Sequence, residues 1–285
     1  MTENRIVSFV EKITPTVLEA GHFALESQGT AKNIGKDDEE SNPSDTEYIK
    51  QVKQAKTIID EQVQEKLLIA AHSILGTKIH LDAEEDTPSK KLFSSKDADI
   101  TLVIDPIDGT LQYLNGSNAW TVCIALLSKG EVLAALVYFP SRKTLYLLDT
   151  DAKSYICECN ESKIISKKLM QSPKEVRNEI VYVNHRVSEE TIDYLSKRFT
   201  IVKYTDAIVS WAQALLKCVS GEYEAIILAK PQIRDVLLGA VIERMSGGYA
   251  VDFTGKKILW PNGGRIPEVV FGFGILSDEI KNCLS

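Results

Sequence analysis

The amino-acid sequence predicts a mixed α/β protein of two lobes that meet near residue 150. Three observations lead to this prediction. Apolar residues recur at helical spacing near the N-terminus, and short, closely spaced apolar runs follow up to about residue 148. Beyond residue 150, apolar runs alternate with helical segments. We therefore expect helices packed on a largely antiparallel sheet in residues 1–150, and a second α/β lobe in residues 151–285.

The first lobe begins with two predicted helices. Apolar positions recur three and four residues apart over residues 6–24 and again over 48–67, where one long helix is predicted to end near Gly76. The acidic, proline-containing stretch 35–47 between them is typical of a surface loop. The strand-like runs that follow are KIHLDAEE, DITLVIDP, AWTVCIALL, EVLAALVYFP and TLYLLD.

The second lobe is predicted to alternate strands with helices. The strand-like runs are EIVYVNH, IVKY, YEAIIL and PEVVFG. The helical segments between them are SEETIDYLSKRF, VSWAQALLKCVSG and RDVLLGAVIERMSGG, and Ser188 is predicted to cap the first of these.

Composition and charge disfavour several classes of function. The net charge of −7 and the pI of about 5.3 argue against a broad basic surface, so we expect no nucleic-acid polymer and no membrane as partner. No apolar run approaches the roughly 20 residues of a membrane span. The first residues lack the pattern of a secretory signal, and the cysteines are scattered, so a cytoplasmic protein is expected. Cys157 and Cys159 are interpreted as one face of a short strand.

The stretch DPIDGT, residues 105–110, is the most informative part of the sequence. Asp105 ends a strongly apolar strand, where burial of a carboxylate is unfavourable without a partner. Pro106 is predicted to end the strand, which brings Asp108 back toward the same side. Gly109 allows a ligand to approach the backbone closely. A polar turn with an Asx-type cap is the alternative explanation.

Further carboxylates favour a metal site. Glu84, Glu85 and Asp86 follow another strand-like run, and a parallel strand pairing would place Glu84 beside Asp105. Asp235 opens a helix of the second lobe, where it would also complement the helix dipole. Clustered oxygen ligands suit Mg²⁺, and these stretches contain no histidine or cysteine that would favour zinc.

These motifs resemble those of the inositol monophosphatase superfamily, whose members are Mg²⁺-dependent, usually lithium-sensitive phosphomonoesterases. The resemblance rests on DAEED, on DPIDGT followed by WTVCIALLSKGEVLAALVYFP, and on Asp235, which is followed, after three intervening residues, by GAVIERMSGG. It runs from the first helix to FTGKKI. It implies a five-layer α-β-α-β-α sandwich of the sugar-phosphatase type, and it allows a homodimer, because the family is often dimeric.

The resemblance also implies two bound Mg²⁺ ions. Glu84, Asp105 and the main-chain carbonyl of Ile107 would hold the first ion, and Asp105, Asp108 and Asp235 would hold the second. A metal pair of this kind clamps both the attacking water and the leaving oxygen.

The remaining catalytic groups follow from the same resemblance. Glu84 and Thr110 would orient and deprotonate the attacking water, and Asp60 would polarise the threonine. The backbone N–H groups of Gly109 and Thr110 would hold phosphate oxygens.

Three positions depart from the family pattern. Arg234 replaces a tryptophan before Asp235, and Gln64 replaces a glutamate, which would weaken binding of a third Mg²⁺ ion. Leu228 stands where inositol phosphatases place a glutamate that binds sugar hydroxyls. These departures leave the natural substrate open.

An inositol or sugar phosphate is the expected substrate class, and 3′(2′),5′-bisphosphate nucleotides are the alternative. The stretch VNHRVSEET resembles a helix start of the nucleotidase branch, where His185 and Arg186 would meet a second phosphate or a base, or else face solvent. Ser210 lies where the family has a substrate contact, and Trp211 beside it would stack on a ring or pack. Fructose 1,6-bisphosphate is a further candidate. The alternative of another class is a binding or regulatory protein with little turnover.

Overall fold

The structure is a computed structural model that describes residues 6–36, 45–93, 95, 98–173, 179–207, 210–274, 280 and 282. Its helices are α1 (Phe9–Ser27), α2 (Glu47–Gln54), α3 (Ile58–Leu75), α4 (Thr110–Leu114), α5 (Glu189–Leu195), α6 (Tyr204–Ala207), α7 (Trp211–Val219) and α8 (Leu237–Glu243). A 3₁₀ turn, Arg234–Val236, precedes α8. Residues 37–44 of the predicted surface loop lie outside the described residues.

The strands form two sheets. The strands are β1 (His80–Ala83), β2 (Ile100–Asp108), β3 (Thr121–Ser128), β4 (Glu131–Phe139), β5 (Thr144–Leu148), β6 (Ser154–Cys159), β7 (Ile164–Leu169), β8 (Ile180–Val183), β9 (Thr200–Lys203), β10 (Ala225–Ala229), β11 (Gly248–Val251) and β12 (Glu268–Phe273). The first sheet contains β1 to β7 in sequence order, and the second has the order β11-β12-β10-β8-β9. In the first sheet only β1 and β2 pair in parallel, which confirms a largely antiparallel sheet.

Successive side chains along β2 face different layers of the fold. Leu102 and Ile104 are buried with α1 and α3 on one face of the first sheet. Val103 points to the opposite face, where α7 and α8 fill the space between the two sheets. Helix α5 covers the outer face of the second sheet. The layers therefore follow the predicted α-β-α-β-α order.

One predicted helix is in fact two. Thr57 starts α3 with a capping box: its side chain accepts the N–H groups of Ile59 and Asp60, and Asp60 accepts the Thr57 N–H at 2.9 Å. The single helix predicted from residue 48 to Gly76 is therefore wrong, because this cap requires an extended residue at position 57.

The first sheet extends further along the chain than the sequence predicted. Strands β6 and β7 continue it to Leu169 rather than to about residue 150. Neither β7 nor β11 was among the predicted strands, and β7 lies at a sheet edge with a mostly exposed IISKKL sequence. Cys157 and Cys159 are buried on one face of β6, as predicted. The division into lobes at residue 150 stays a prediction.

Candidate active site

The ends of β1 and β2 lie at a cavity of about 360 Å³ between the sheets. Their parallel register pairs Ala83 with Ile104, so the next residues, Glu84 and Asp105, emerge side by side, as the sequence predicted. β2 does not end at Pro106. It continues to Asp108 through a register shift against β3. This irregularity turns both aspartates toward the cavity, which they line.

Asp235 reaches the same cavity from the second half of the chain, in the 3₁₀ turn before α8. Burial raises the pKa of Asp235 to about 7. The charge of Arg234 opposes this rise, and the charges of Asp108 and Glu84 add to it. Burial and the charges of Glu84, Asp108 and Asp235 raise the pKa of Asp105 well above its ordinary value. Burial and mutual repulsion thus disfavour full ionisation of the cluster in the metal-free protein.

Two cationic side chains offset part of this charge. Lys36 Nζ lies 2.6 Å from Glu84 Oε1, and Arg234 is the next cation acting on that carboxylate. Burial alone would raise the pKa of Glu84, but these cations hold it below its ordinary value. In the metal-free protein Asp105 is therefore the more readily protonated of the two carboxylates.

The carboxylate cluster fits a hard divalent cation. Asp105 Oδ1 is buried and receives no hydrogen bond from the described residues. A buried acceptor without a donor is unfavourable, and a cation would satisfy it. The described residues contain no group of three or more His, Cys, Asp or Glu side chains already placed to hold a metal ion, so the fit rests on the chemistry of the oxygen ligands and not on a preformed coordination geometry.

The pKa values predict how metal-free stability depends on pH. The folded-state pKa values of Asp60 and Asp235 are raised from 3.8 to about 7, and that of Asp108 to about 6. The folded protein holds these protons more tightly than the unfolded chain, so their stabilisation is complete below the unfolded pKa and is lost as pH rises through the folded values. We expect the free energy of unfolding in EDTA to fall by a few kcal/mol between about pH 4 and about pH 8.

Mg²⁺ should reverse this loss, because its ligands bind in the ionised form. Urea denaturation with EDTA or with Mg²⁺, at about pH 5 and about pH 8, measures both effects. Equal stabilisation by Mg²⁺ at the two pH values would contradict the prediction.

Thr110 and Asp60 form a hydrogen-bonded pair beside the carboxylates. Thr110 Oγ1 lies 3.0 Å from Asp60 Oδ1 and 3.1 Å from the carbonyl oxygen of Ile107. Asp60 is fully buried, and its other oxygen accepts hydrogen bonds from Thr57. The capping box of α3 therefore fixes the carboxylate that orients the threonine hydroxyl.

Gly109 gives the turn its close approach to the second half of the chain. Its φ is +94°, and a Cβ atom there would lie 2.7 Å from Ser210 Cβ. Ser210 caps α7 by accepting the Gln213 N–H, and Asp108 Oδ2 accepts the N–H of Ala212 at 2.9 Å. The turn thus packs directly on the N-terminus of α7.

The rim of the cavity carries aromatic and basic side chains. His185 lines this rim. Partial loss of water, and then the charge of Arg186, lower the pKa of His185 to about 4, so its ring is neutral at pH 7. The rings of Tyr204 and Trp211 stack at 4.8 Å between centroids, with an interplanar angle of 13°. Arg186 and Arg265 both donate to the carbonyl oxygen of Lys230, at 2.8 and 2.7 Å.

Two other residues weighed from the sequence lie away from the cavity. Leu228 is fully buried in the core, opposite Val269 on β12. Gln64 exchanges two hydrogen bonds with the main chain of Glu85, at 2.6 and 2.8 Å, so it holds the segment next to Glu84 in place.

Sequence reasoning missed several residues that line the cavity. They include Lys36, Tyr204 and Arg265. Lys36 falls within the predicted surface loop, and no spacing rule links a lone lysine to Glu84. Arg265 follows an Asn-Gly-Gly turn and carries no sequence signal of its own.

Comparisons with known proteins find relatives over nearly the whole chain. A sequence model of the inositol monophosphatase family matches residues 15–269. The chain is 28% identical over 166 residues to the Nus factor SuhB of Xylella fastidiosa, covering 55% of this chain and 56% of that protein. It is 24% identical over 200 residues to the 3′(2′),5′-bisphosphate nucleotidase CysQ of Salmonella typhimurium, covering 67% and 76%. The match thus spans little more than half the length of the Xylella relative.

A solved structure agrees with the fold. The crystal structure of an IMPase/NADP phosphatase complexed with Mg²⁺ and phosphate superposes with a TM-score of 0.71 at 15% identity, covering 97% of this chain and 95% of that one. At this identity the likeness shows the fold alone. The match of the family model over most of the sequence shows more: the chain belongs to the inositol monophosphatase family.

Proposed function

We propose that the protein is a Mg²⁺-dependent phosphomonoesterase that hydrolyses a small phosphate monoester, with an inositol or sugar phosphate as the first candidate. The observation that supports this most directly is the buried carboxylate cluster beside a threonine hydroxyl. Glu84, Asp105 and the Ile107 carbonyl would hold one ion, and Asp105, Asp108 and Asp235 a second. Bound Mg²⁺ supplies neutralisation of phosphate charge and acidifies water.

The protein's own groups orient the reaction. Thr110 Oγ1 donates a hydrogen bond to Asp60 Oδ1 at 3.0 Å, so its lone pairs are left to accept a hydrogen bond from the attacking water. Glu84 is the base that receives the water proton, because Lys36 and Arg234 keep it ionised. The N–H groups of Gly109 and Thr110 bind phosphate oxygens.

A phosphate-release assay tests this function. The substrates are inositol 1-phosphate, fructose 1,6-bisphosphate and adenosine 3′,5′-bisphosphate, each assayed with Mg²⁺ and with EDTA. Release of phosphate from at least one substrate with Mg²⁺ and not with EDTA is expected. Equal release in EDTA would remove the metal from the mechanism, and no release from any substrate would contradict the proposal.

The second candidate function is that of a 3′(2′),5′-bisphosphate nucleotidase. The stacked Tyr204–Trp211 pair could extend its stack to a base, and the guanidinium groups of Arg186 and Arg265 could meet a second phosphate. Arg186→Gln should then raise KM for adenosine 3′,5′-bisphosphate on the order of tenfold and leave KM for inositol 1-phosphate unchanged. Equal effects on both substrates would count against this candidate.

A regulatory role is the alternative of another class, because the Xylella relative is named a Nus factor. The metal carboxylates Glu84, Asp105, Asp108 and Asp235 are all present, which favours turnover. No helix among the described residues is long and apolar enough to cross a membrane. A cytoplasmic location, a homodimer and the lack of a nucleic-acid partner stay predictions.

A further inference from the structure

One ion pair joins the two halves of the site across 152 positions of the chain. Arg234 Nη1 lies 3.2 Å from Asp82 Oδ1, with 16% and 11% of the two side chains exposed. Asp82 belongs to β1 in the first sheet, and Arg234 lies in the 3₁₀ turn that precedes α8. The pair is mostly removed from water, so its geometry is held by its surroundings rather than by a mobile surface contact.

A second set of contacts closes this link into a ring. Asp82 Oδ2 accepts the N–H of Gly264 at 2.5 Å, and the Gly264 carbonyl accepts the N–H of Ile233 at 2.8 Å. Gly263 has a φ of +105°, and a Cβ atom there would lie 2.9 Å from Asp82 Oδ2. Asp82 thus accepts one hydrogen bond from Arg234 through Oδ1 and one from the Gly264 N–H through Oδ2.

The ring is adjacent to two proposed metal ligands. Asp82 lies in β1 two residues before Glu84, and Arg234 immediately precedes Asp235. Glu84 follows β1 and Asp235 precedes α8, so the ion pair connects the segments that bring these carboxylates to one cavity.

We propose that Asp82 and Arg234 are positioning residues, a clamp that fixes the separation of Glu84 and Asp235 and thereby sets the affinity for Mg²⁺. This inference rests on the proposed metal-dependent function. Groups that hold metal ligands in place typically change metal affinity by 10- to 100-fold when they are removed.

The positive charge of Arg234 should weaken Mg²⁺ binding, whereas its proposed role as a clamp should strengthen it. Its guanidinium acts on Glu84, Asp235 and Asp105, and a cation beside these carboxylates opposes a second cation. If Arg234 acted only through charge, its removal would tighten Mg²⁺ binding. If it acts as a clamp, its removal weakens binding.

A double variant separates the two effects. Arg234→Met/Asp82→Asn breaks the ion pair and leaves the net charge of the protein unchanged, while the asparagine oxygen can still accept the Gly264 N–H. The matched control is Arg244→Met/Glu131→Gln, which breaks an Arg–Glu ion pair whose residues do not line the cavity. Calorimetric titration of the metal-stripped proteins with Mg²⁺ alone gives the dissociation constants, and circular dichroism checks that each variant is folded.

We expect the Mg²⁺ dissociation constant of the double variant to rise on the order of tenfold and that of the control to stay within about twofold of wild type. A dissociation constant that is unchanged or lower in the folded double variant overturns the clamp. If the double variant does not fold, Arg234→Gln alone decides: binding that is no tighter than in wild type supports the clamp, because loss of the charge alone would tighten it, and tighter binding overturns the clamp. Wild-type protein that binds no Mg²⁺ overturns the proposed function itself, and the clamp with it.

Discussion

Asp105→Asn is expected to lower Mg²⁺-dependent phosphate release by at least about a thousandfold, because metal stabilisation of transition-state charge contributes several kcal/mol. Asp105 is the carboxylate that both proposed ions would share, and its Oδ1 has no donor among the described residues. Asparagine keeps the shape of the side chain but offers only one oxygen and no charge. The initial rate at saturating substrate, measured over a range of Mg²⁺ concentrations, tests this expectation.

The same variant should be at least as stable as wild type without metal. Asparagine is neutral at every pH, so it avoids both the burial of an ionised carboxylate and the repulsion that Glu84, Asp108 and Asp235 exert on ionised Asp105. Asp193→Asn, on the exposed surface of α5, is the matched control and should behave as wild type in both measurements. An active Asp105→Asn variant would mean that the metal ligands are wrongly assigned.

Thr110→Val is expected to lower kcat by roughly 10²- to 10³-fold, within the range typical of a lost proton-transfer contact. Valine matches the shape of threonine, so the loss would come from the hydroxyl that lies 3.0 Å from Asp60 and 3.1 Å from the Ile107 carbonyl. KM should change little, because the hydroxyl acts on the attacking water and not on the bound phosphate ester.

Two companion variants sharpen this second experiment. Thr110→Ser keeps the hydroxyl and should retain most of the activity. Asp60→Asn keeps the size of the side chain but offers the threonine a weaker acceptor, so its kcat should fall between those of the serine and valine variants. A valine variant with wild-type kcat would exclude Thr110 from the reaction.

The part of the site that the sequence predicted best is the part made by neighbouring strands. Glu84 and Asp105 could be placed side by side because parallel strands end at the same edge of a sheet, and the register bears this out. Asp235 could be joined to them only through the family resemblance, since no local pattern relates positions so far apart. The contacts of Lys36 and Arg265 with the cavity depend on the tertiary fold, and no motif in the sequence around either residue predicts them.

The errors have physical causes that can be named. The helical period from residue 48 to residue 67 obscured a Thr-x-x-Asp capping box at Thr57, although the motif was there to be read. The family resemblance places a sugar-binding glutamate at position 228, whereas in this chain Leu228 is fully buried in the core. Pro106 was expected to end β2, but a shift of register carries the strand past it.

The contact between Asp82 and Arg234 joins residues 152 positions apart, and this has a consequence for folding. A loop of that length closes only after slow, long-range contacts have formed. The first sheet pairs its strands in sequence order, so its contacts are closer along the chain, whereas the proposed metal site lacks Asp235 until the turn before α8 docks on it. We expect Mg²⁺ to slow unfolding more than it accelerates folding, because the ion can bind all its proposed ligands only once this turn has docked.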